Sequence, residues 1–154
     1  MLAELFRGRD VDLPAMAARM KGLMDAEGLP YGSRDRTYNS RLAQELGKWA
    51  EREGKPAIHD ALYRAYFVDG ANVSDPDVLA GVAESMGLSR AEARRALDER
   101  TMRAAVDADW ARARALGVTG VPTFVMGRQG VVGAQLYEAL ERLALAAGAV
   151  RRPS

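Results

Sequence analysis

The segment Thr119–Val125, with the sequence Thr-Gly-Val-Pro-Thr-Phe-Val, holds the residues of this chain best suited to binding another polypeptide. Pro122 has no backbone N–H, and its ring biases Val121 away from the helical conformation. The chain therefore enters the following strand through an extended turn in which the preceding peptide groups stay free, and free backbone groups can pair with a second chain. The sequence contains no cysteine, so its own side chains supply neither a disulfide nor a thiolate nucleophile.

The remaining candidates for chemistry indicate structural roles. His59 is the single histidine, which excludes a metal site built from several histidines, and we interpret it as a polar residue at a helix edge. Asp107 and Asp109 lie two apart on a predicted helix and so point to different sides, which argues against a paired-carboxylate site. We therefore predict no catalytic residue and no metal site within this chain.

A short β-hairpin is predicted directly after Pro122. The run Thr123–Met126 is apolar at nearly every position, which is typical of a strand covered on both faces. A four-residue loop with glycine at each end, Gly127–Gly130, follows it, and Val131–Ala134 is expected to return as the antiparallel partner. We predict no third strand, and an isolated hairpin is marginally stable in water. Taken alone, the Val121–Pro122 bond is expected to be trans, because cis bonds are a small minority even before proline.

Start and stop signals predict that the rest of the chain is helical, with six helices before the hairpin and one after it. The predicted starts lie at Leu13-Pro14, Asn39, Pro56, Ser74–Asp77, Ser89–Glu92, Thr101 and Gln135. The predicted stops before the hairpin are glycines, namely Gly28, Gly54, Gly70, Gly87 and Gly117. Apolar side chains at helical spacing indicate the faces expected to reach a core, among them Met16, Met20, Leu23, Leu46, Trp49, Ile58, Leu79, Leu97, Val106, Trp110, Leu116, Leu136 and Leu143.

The composition is that of a soluble globular protein. At 154 residues the chain is long enough for one domain with a real core, and 48% of its residues are apolar. Met1–Asp10 carries four charged residues, which leaves no room for the apolar stretch of a signal peptide, and no run of transmembrane length occurs. Together with the absence of cysteine, these features make the cytoplasm the expected location.

Three segments resemble one known family. They are Tyr38–Ala43, His59–Phe67 and Ala115–Phe124, and their sequences are similar to the DsbA family of thioredoxin-fold proteins. Within that family the chain is most similar to the FrnE-like cytoplasmic branch, which is related to 2-hydroxychromene-2-carboxylate isomerases and kappa-class glutathione transferases. The resemblance extends from about Leu2 to the last helix and covers the later portion of a complete family member.

The resemblance implies an α/β fold of the thioredoxin-like DsbA type with an all-helical insertion. In this chain we expect a mostly helical structure with one C-terminal β-hairpin and a closing helix, without the N-terminal βαβ half that carries Cys-x-x-Cys in family members. The implied domains are a helical lobe at residues 1–116, the C-terminal part of the thioredoxin-like domain at 117–150 and a tail at 151–154.

The resemblance also implies a substrate-binding loop. Val121 and Pro122 are expected to be joined by a cis bond that faces the active-site thiols, with Thr119 and Gly120 as supporting residues. The backbone of Val121 is expected to pair with a thiol- or disulfide-containing peptide, or with glutathione, by strand addition. The expected function is that of a thiol–disulfide oxidoreductase that is truncated and not redox-active alone. A non-catalytic peptide-binding or chaperone-like module and a glutathione-dependent isomerase or transferase remain open as alternatives.

Two further expectations concern partners. Unpaired strand edges recruit other strands, so with its exposed hairpin the chain alone is expected to form a homodimer, to aggregate or to be less stable than its size suggests. The chain has 22 lysines and arginines against 21 aspartates and glutamates, so its net charge is close to zero. Electrostatic attraction therefore does not favour nucleic acid or an anionic membrane as a partner.

Overall fold

The structure is a computed structural model and describes residues 12–33 and 35–152. Within these ranges the predicted number and order of elements are confirmed, with seven helices and one antiparallel hairpin. In chain order the elements are α1 (Leu13–Ala26), α2 (Arg41–Arg52), α3 (Ile58–Phe67), α4 (Pro76–Ser85), α5 (Arg90–Asp98), α6 (Arg103–Ala115), β1 (Thr123–Met126), β2 (Gln129–Val132) and α7 (Tyr137–Ala146). The expectations for Met1–Asp10 and for the last two tail residues lie outside the described residues. The chain forms two compact units, one ending at Val106 and the other beginning at Asp107.

Helices α4 and α5 begin at capping residues that can be read from the sequence. The Asp75 carboxylate accepts a hydrogen bond of 2.8 Å from the N–H of Asp77 at the start of α4. At the start of α5, the Ser89 hydroxyl accepts a hydrogen bond of 3.3 Å from the N–H of Glu92. α2 begins after Ser40, whose side chain makes no capping hydrogen bond, and it is the predicted Asn39 whose Oδ1 accepts a hydrogen bond of 2.9 Å from the N–H of Arg41.

The core of the first unit is formed by helices α2 to α5. Leu46, Ile58 and Leu79 come from three of these helices and are fully buried, and Trp49 and Leu97 pack into the same cluster. Burying one such aliphatic side chain contributes about 1.5–3 kcal/mol. The prediction that these five side chains face a core is confirmed.

Helices α2 and α3 approach each other closely at Gly47. A Cβ atom at this position would lie 2.7 Å from Cε1 of the His59 imidazole, so a larger residue would displace the imidazole ring. His59 is partly exposed, and its Nε2 lies 2.7 Å from Oε1 of Glu51 on α2. The interpretation of His59 as a polar residue at a helix edge is confirmed.

A buried carboxylate links α2 to the connection between α5 and α6. Glu45 is 2% exposed and accepts hydrogen bonds from Nε and Nη2 of Arg100 at 2.8 and 2.7 Å. Nε of Arg41 donates a third hydrogen bond at 2.9 Å, and Nη2 of Arg41 donates to the carbonyl of Arg103 at 3.0 Å. Arg100 has a φ of 55°, a left-handed conformation that is uncommon for a residue other than glycine. This ion cluster is not predicted from the sequence.

We expect acid to destabilise the first unit through Glu45. The hydrogen bonds from Arg100 outweigh burial and hold the pKa of the Glu45 carboxyl below its usual value. In an unfolded chain glutamate titrates at about pH 4.3. The contribution of Glu45 is therefore fully present above that pH and is lost as the pH falls through the lower pKa of the folded state.

The measurement is the free energy of unfolding of the wild type and of Glu45→Gln between about pH 7 and about pH 2. The difference between the two proteins should shrink toward low pH, because protonated glutamate and glutamine then carry the same charge. A difference that stays constant with pH contradicts this assignment.

The apolar face of α1 was predicted to reach a core but is not buried. Met16, Met20 and Leu23 share one face at helical spacing, but all three are exposed, and no residue of this helix is buried. The spacing fixes which side chains share a face, whereas burial requires an element to cover them, and none of the described elements does so. Neither α1 nor any other described helix is long and apolar enough to cross a membrane.

The second unit contains the hairpin, whose turn is tighter than predicted. β1 and β2 are paired so that Met126 lies opposite Gln129, which leaves Gly127 and Arg128 as the turn. Gly127 has a φ of 61°, which glycine adopts without strain and which suits a two-residue turn. The predicted four-residue loop, with a returning strand at residues 131–134, is therefore wrong.

Few apolar side chains of the second unit are buried. Leu143 of α7 is the one buried side chain among its described residues. Trp110, Leu116 and Leu136 were predicted to face a core but are exposed, as is Val125 of β1. β1 is not covered on both faces, because Val125 is exposed while the other three residues of the strand are partly buried; α7 packs against β1.

Candidate functional site

One loop joins α6 to β1. Gly117 has a φ of 71°, which ends the helix in the left-handed conformation, and the N–H of Val118 donates to the carbonyl of Ala113 at 3.0 Å. The chain then leaves the helix and runs into the hairpin. This loop carries all four predicted substrate-binding residues, Thr119, Gly120, Val121 and Pro122.

Two hydrogen bonds fix this loop on the hairpin. The carbonyl of Pro122 accepts a hydrogen bond of 2.7 Å from the N–H of Gly133, which extends the β1–β2 pairing by one residue pair. The hydroxyl of Thr123 donates to the carbonyl of Gly120 at 2.5 Å. A Cβ atom at Gly120 would lie 3.4 Å from Cγ1 of Val132, so the loop backbone lies against β2.

The exposed residues Thr119 and Val121 form no hydrogen bond with any described residue, and Val121 directly precedes Pro122. Val121 is 90% exposed, and its backbone N–H and C=O form no hydrogen bond with any described residue. The bond between Val121 and Pro122 is cis. A free N–H and C=O on an exposed residue can pair with an extended peptide, which is then added as a further strand.

The loop does not supply a group that attacks a disulfide. Thiol–disulfide exchange requires a thiolate, and the sequence has no cysteine. The single histidine, His59, is hydrogen-bonded to Glu51 in the first unit. Within the ranges that the structure describes, no three side chains of the metal-ligating types cluster. The exposed N–H and C=O of Val121 are the groups of the loop that are available for hydrogen bonding.

The sequence analysis predicts the four loop residues but not the two residues that fix them. Thr123 could have been found, because a threonine hydroxyl often bonds to a nearby backbone group. Gly133 lies opposite Pro122 only when the hairpin turn has two residues, so its role depends on the register.

Comparison with known proteins identifies the family. The sequence profile of the DSBA-like thioredoxin domain matches residues 6–144. The crystal structure of a probable DsbA oxidoreductase from Streptomyces coelicolor superposes with a TM-score of 0.81 and 33% sequence identity, covering 99% of this chain and 69% of that chain. No curated protein matches the sequence significantly. The predicted thioredoxin-like fold class is thereby confirmed, and the chain belongs to the DSBA-like thioredoxin domain family.

Proposed function

We propose that this chain is part of a thiol–disulfide oxidoreductase, in which it binds the substrate polypeptide while a Cys-x-x-Cys outside these 154 residues carries out the exchange. The observation that carries the proposal is the exposed backbone of Val121, which has no partner and directly precedes Pro122. Family membership supports the reaction class. Because the sequence has no cysteine, the proposal assigns the thiols to another segment or another chain.

In thiol–disulfide exchange, a thiolate attacks one sulfur of a disulfide, a new S–S bond forms as the old one breaks, and the departing sulfur leaves as a thiolate. The contribution of this chain is binding. The N–H of Val121 donates to a substrate carbonyl and its C=O accepts from a substrate N–H, which holds the substrate extended beside the loop. The hydrogen bonds from Gly133 and Thr123 hold the loop in place before the substrate binds, so the loop loses less conformational entropy on binding.

The proposal includes finer features implied by the resemblance. The protein is assigned to the FrnE-like branch and to the cytoplasm, and glutathione, itself a short peptide, suits the same two backbone groups of Val121. The unpaired edges of the two-stranded sheet support self-association through β1 or β2. Cell fractionation tests the location, and sedimentation velocity at micromolar concentration tests the association.

The first experiment is to determine the intact mass and the N-terminal residue of the protein isolated from its own cells. A longer polypeptide that contains Cys-x-x-Cys, or a tightly bound partner chain that does, supports the proposal. A polypeptide that starts at Met1 and copurifies with no cysteine-containing chain contradicts it.

In the protein that carries the thiols, we expect Val121→Pro to lower kcat/KM for a peptide disulfide by about tenfold, which corresponds to the loss of one hydrogen bond of about 1.4 kcal/mol. Val121→Ala is the matched control, because it shortens the side chain but keeps the N–H, and it should stay within about twofold of the wild type. The readout is the reduction rate of a fluorogenic peptide disulfide. Equal losses in the two variants contradict a role for the Val121 backbone.

A non-catalytic peptide-binding module is the second candidate, and the combination of an unpaired Val121 backbone with a cysteine-free sequence favours it. Fluorescence anisotropy of the protein isolated from its own cells, with a labelled peptide and its cysteine-to-serine analogue, separates the two functions. A pure binding module retains both peptides equally. An oxidoreductase holds the cysteine peptide through a mixed disulfide that dithiothreitol releases.

A further inference from the structure

A cavity of about 250 Å³ lies in the first unit, between the last turn of α2 and the second half of α5. Its lining is mostly polar and charged, and includes Trp49, which is 5% exposed, and Ala96. At the α2 side, Arg52 and Glu53 form a loose ion pair of 3.6 Å that is open to solvent. Ligand pockets for drug-sized molecules begin at about 300 Å³. This cavity therefore suits a smaller molecule.

Three charges on the α5 side of the cavity have no partner among the residues that the structure describes. The guanidinium of Arg95 and the carboxylates of Glu92 and Glu99 form no hydrogen bond or ion pair with any described side chain. The adjacent Arg94 differs, because it is paired with acidic side chains on both α4 and α5 and does not line the cavity. The unpaired charges are thus confined to the cavity side of α5.

The order of these charges suits a ligand that carries both signs. Glu92, Arg95 and Glu99 are spaced by three and four residues, which places neighbouring side chains about 5–6 Å apart on one helix face. The two ends of an extended dipeptide are about 7 Å apart. The C-terminal ends of α2 and α5, capped by Glu53 and Glu99, also line the cavity, and a helix C-terminus attracts positive charge.

We propose that this cavity binds a small zwitterion of the amino-acid or dipeptide class. Its carboxylate bonds to Arg95, its ammonium lies between Glu99 and the helix ends, and Trp49 lies beneath its backbone. The site belongs to the helical unit and involves no thiol chemistry, so it goes beyond the proposed function and does not rest on it.

Tryptophan fluorescence can report on this site directly. The sequence has two tryptophans, so Trp110→Phe leaves Trp49 as the only reporter. Titration with glycylglycine at constant ionic strength should give a saturable change with a Kd on the order of 1 mM, as expected for a few charge-assisted hydrogen bonds near water. N-acetylglycylglycine lacks the ammonium and glycylglycinamide lacks the carboxylate, and each should bind about tenfold more weakly.

Arg95→Gln should raise the Kd for glycylglycine about tenfold and remove its advantage over glycylglycinamide. Arg94→Gln is the matched control, since it changes the neighbouring residue of the same helix outside the cavity, and it should leave the Kd unchanged. Circular dichroism verifies that both variants are folded. A titration that does not saturate, equal binding of the amide analogue, or an unchanged Kd in Arg95→Gln overturns the proposal.

Discussion

Replacing Glu45 with alanine is expected to lower the free energy of unfolding of the first unit by about 3 kcal/mol, the lower end of what breaking a buried ion pair costs. The substitution leaves the guanidinium groups of Arg41 and Arg100 without the carboxylate that they share. The Arg100 side chain is 40% exposed and can turn toward water, whereas that of Arg41 is 17% exposed. The loss therefore arises mainly from Arg41 and from the freed α5–α6 connection.

The measurement is urea unfolding followed by Trp49 fluorescence in the Trp110→Phe protein. Glu84→Ala is the matched control, because Glu84 pairs with Arg90 at 3.3 Å while both side chains are well exposed. Exposed pairs contribute at most about 1 kcal/mol, so this variant should unfold close to the wild type. If Glu45→Ala and Glu84→Ala destabilise equally, the buried cluster does not hold the α5–α6 connection.

Gly32→Ala is expected to destabilise the first unit by about 1–3 kcal/mol, the usual range for overpacking. An alanine Cβ would clash with the carbonyl oxygen of Val68 and lie 3.0 Å from its carbonyl carbon. Both are backbone atoms, so rotation of a side chain cannot relieve the clash. The N–H of Gly32 also donates to the carbonyl of Phe67 at 2.9 Å, and this hydrogen bond must lengthen or break if the segment moves away.

The matched control is Gly81→Ala in α4. There the nearest atom to an added Cβ is Nη1 of Arg90 at 3.2 Å, the far end of a flexible side chain that can move. Alanine is favoured over glycine inside a helix by about 0.8–1 kcal/mol, so this variant should be as stable as the wild type or more so. The same urea titration measures both variants. If Gly81→Ala lowers the free energy of unfolding as much as Gly32→Ala does, the contact with the Val68 backbone does not explain the effect.

The elements of the first unit could be predicted because their signals are local. Asp75 and Ser89 cap their helices through residues two and three positions away. The periodic positions of Leu46 and Leu79 determine which helix faces are apolar, and these faces do form the core. Such information is contained within a single turn or two of helix.

The features that escaped prediction depend on distant parts of the chain. Glu45 and Arg100 are 55 residues apart, and each on its own is typical of an exposed charge on a helix. The apolar face of α1, which includes Met16 and Met20, has the correct period, but periodicity does not reveal whether another element covers it. Likewise, the loop residues Val121 and Pro122 can be predicted from a sequence motif. The hydrogen bond from the N–H of Gly133 that fixes the loop depends on the register of the hairpin.

Leu143 is the one buried side chain among the described residues of the second unit, so opening this unit exposes little apolar surface and requires little free energy. We expect amide protons of β1 and β2 to exchange with solvent through local opening, and those packed around Leu46 to exchange more slowly. Under the proposed function, a peptide that pairs with Val121 would add hydrogen bonds to the closed form of the hairpin alone and shift the opening equilibrium toward it. Peptide binding and ordering of the hairpin would then be one linked equilibrium.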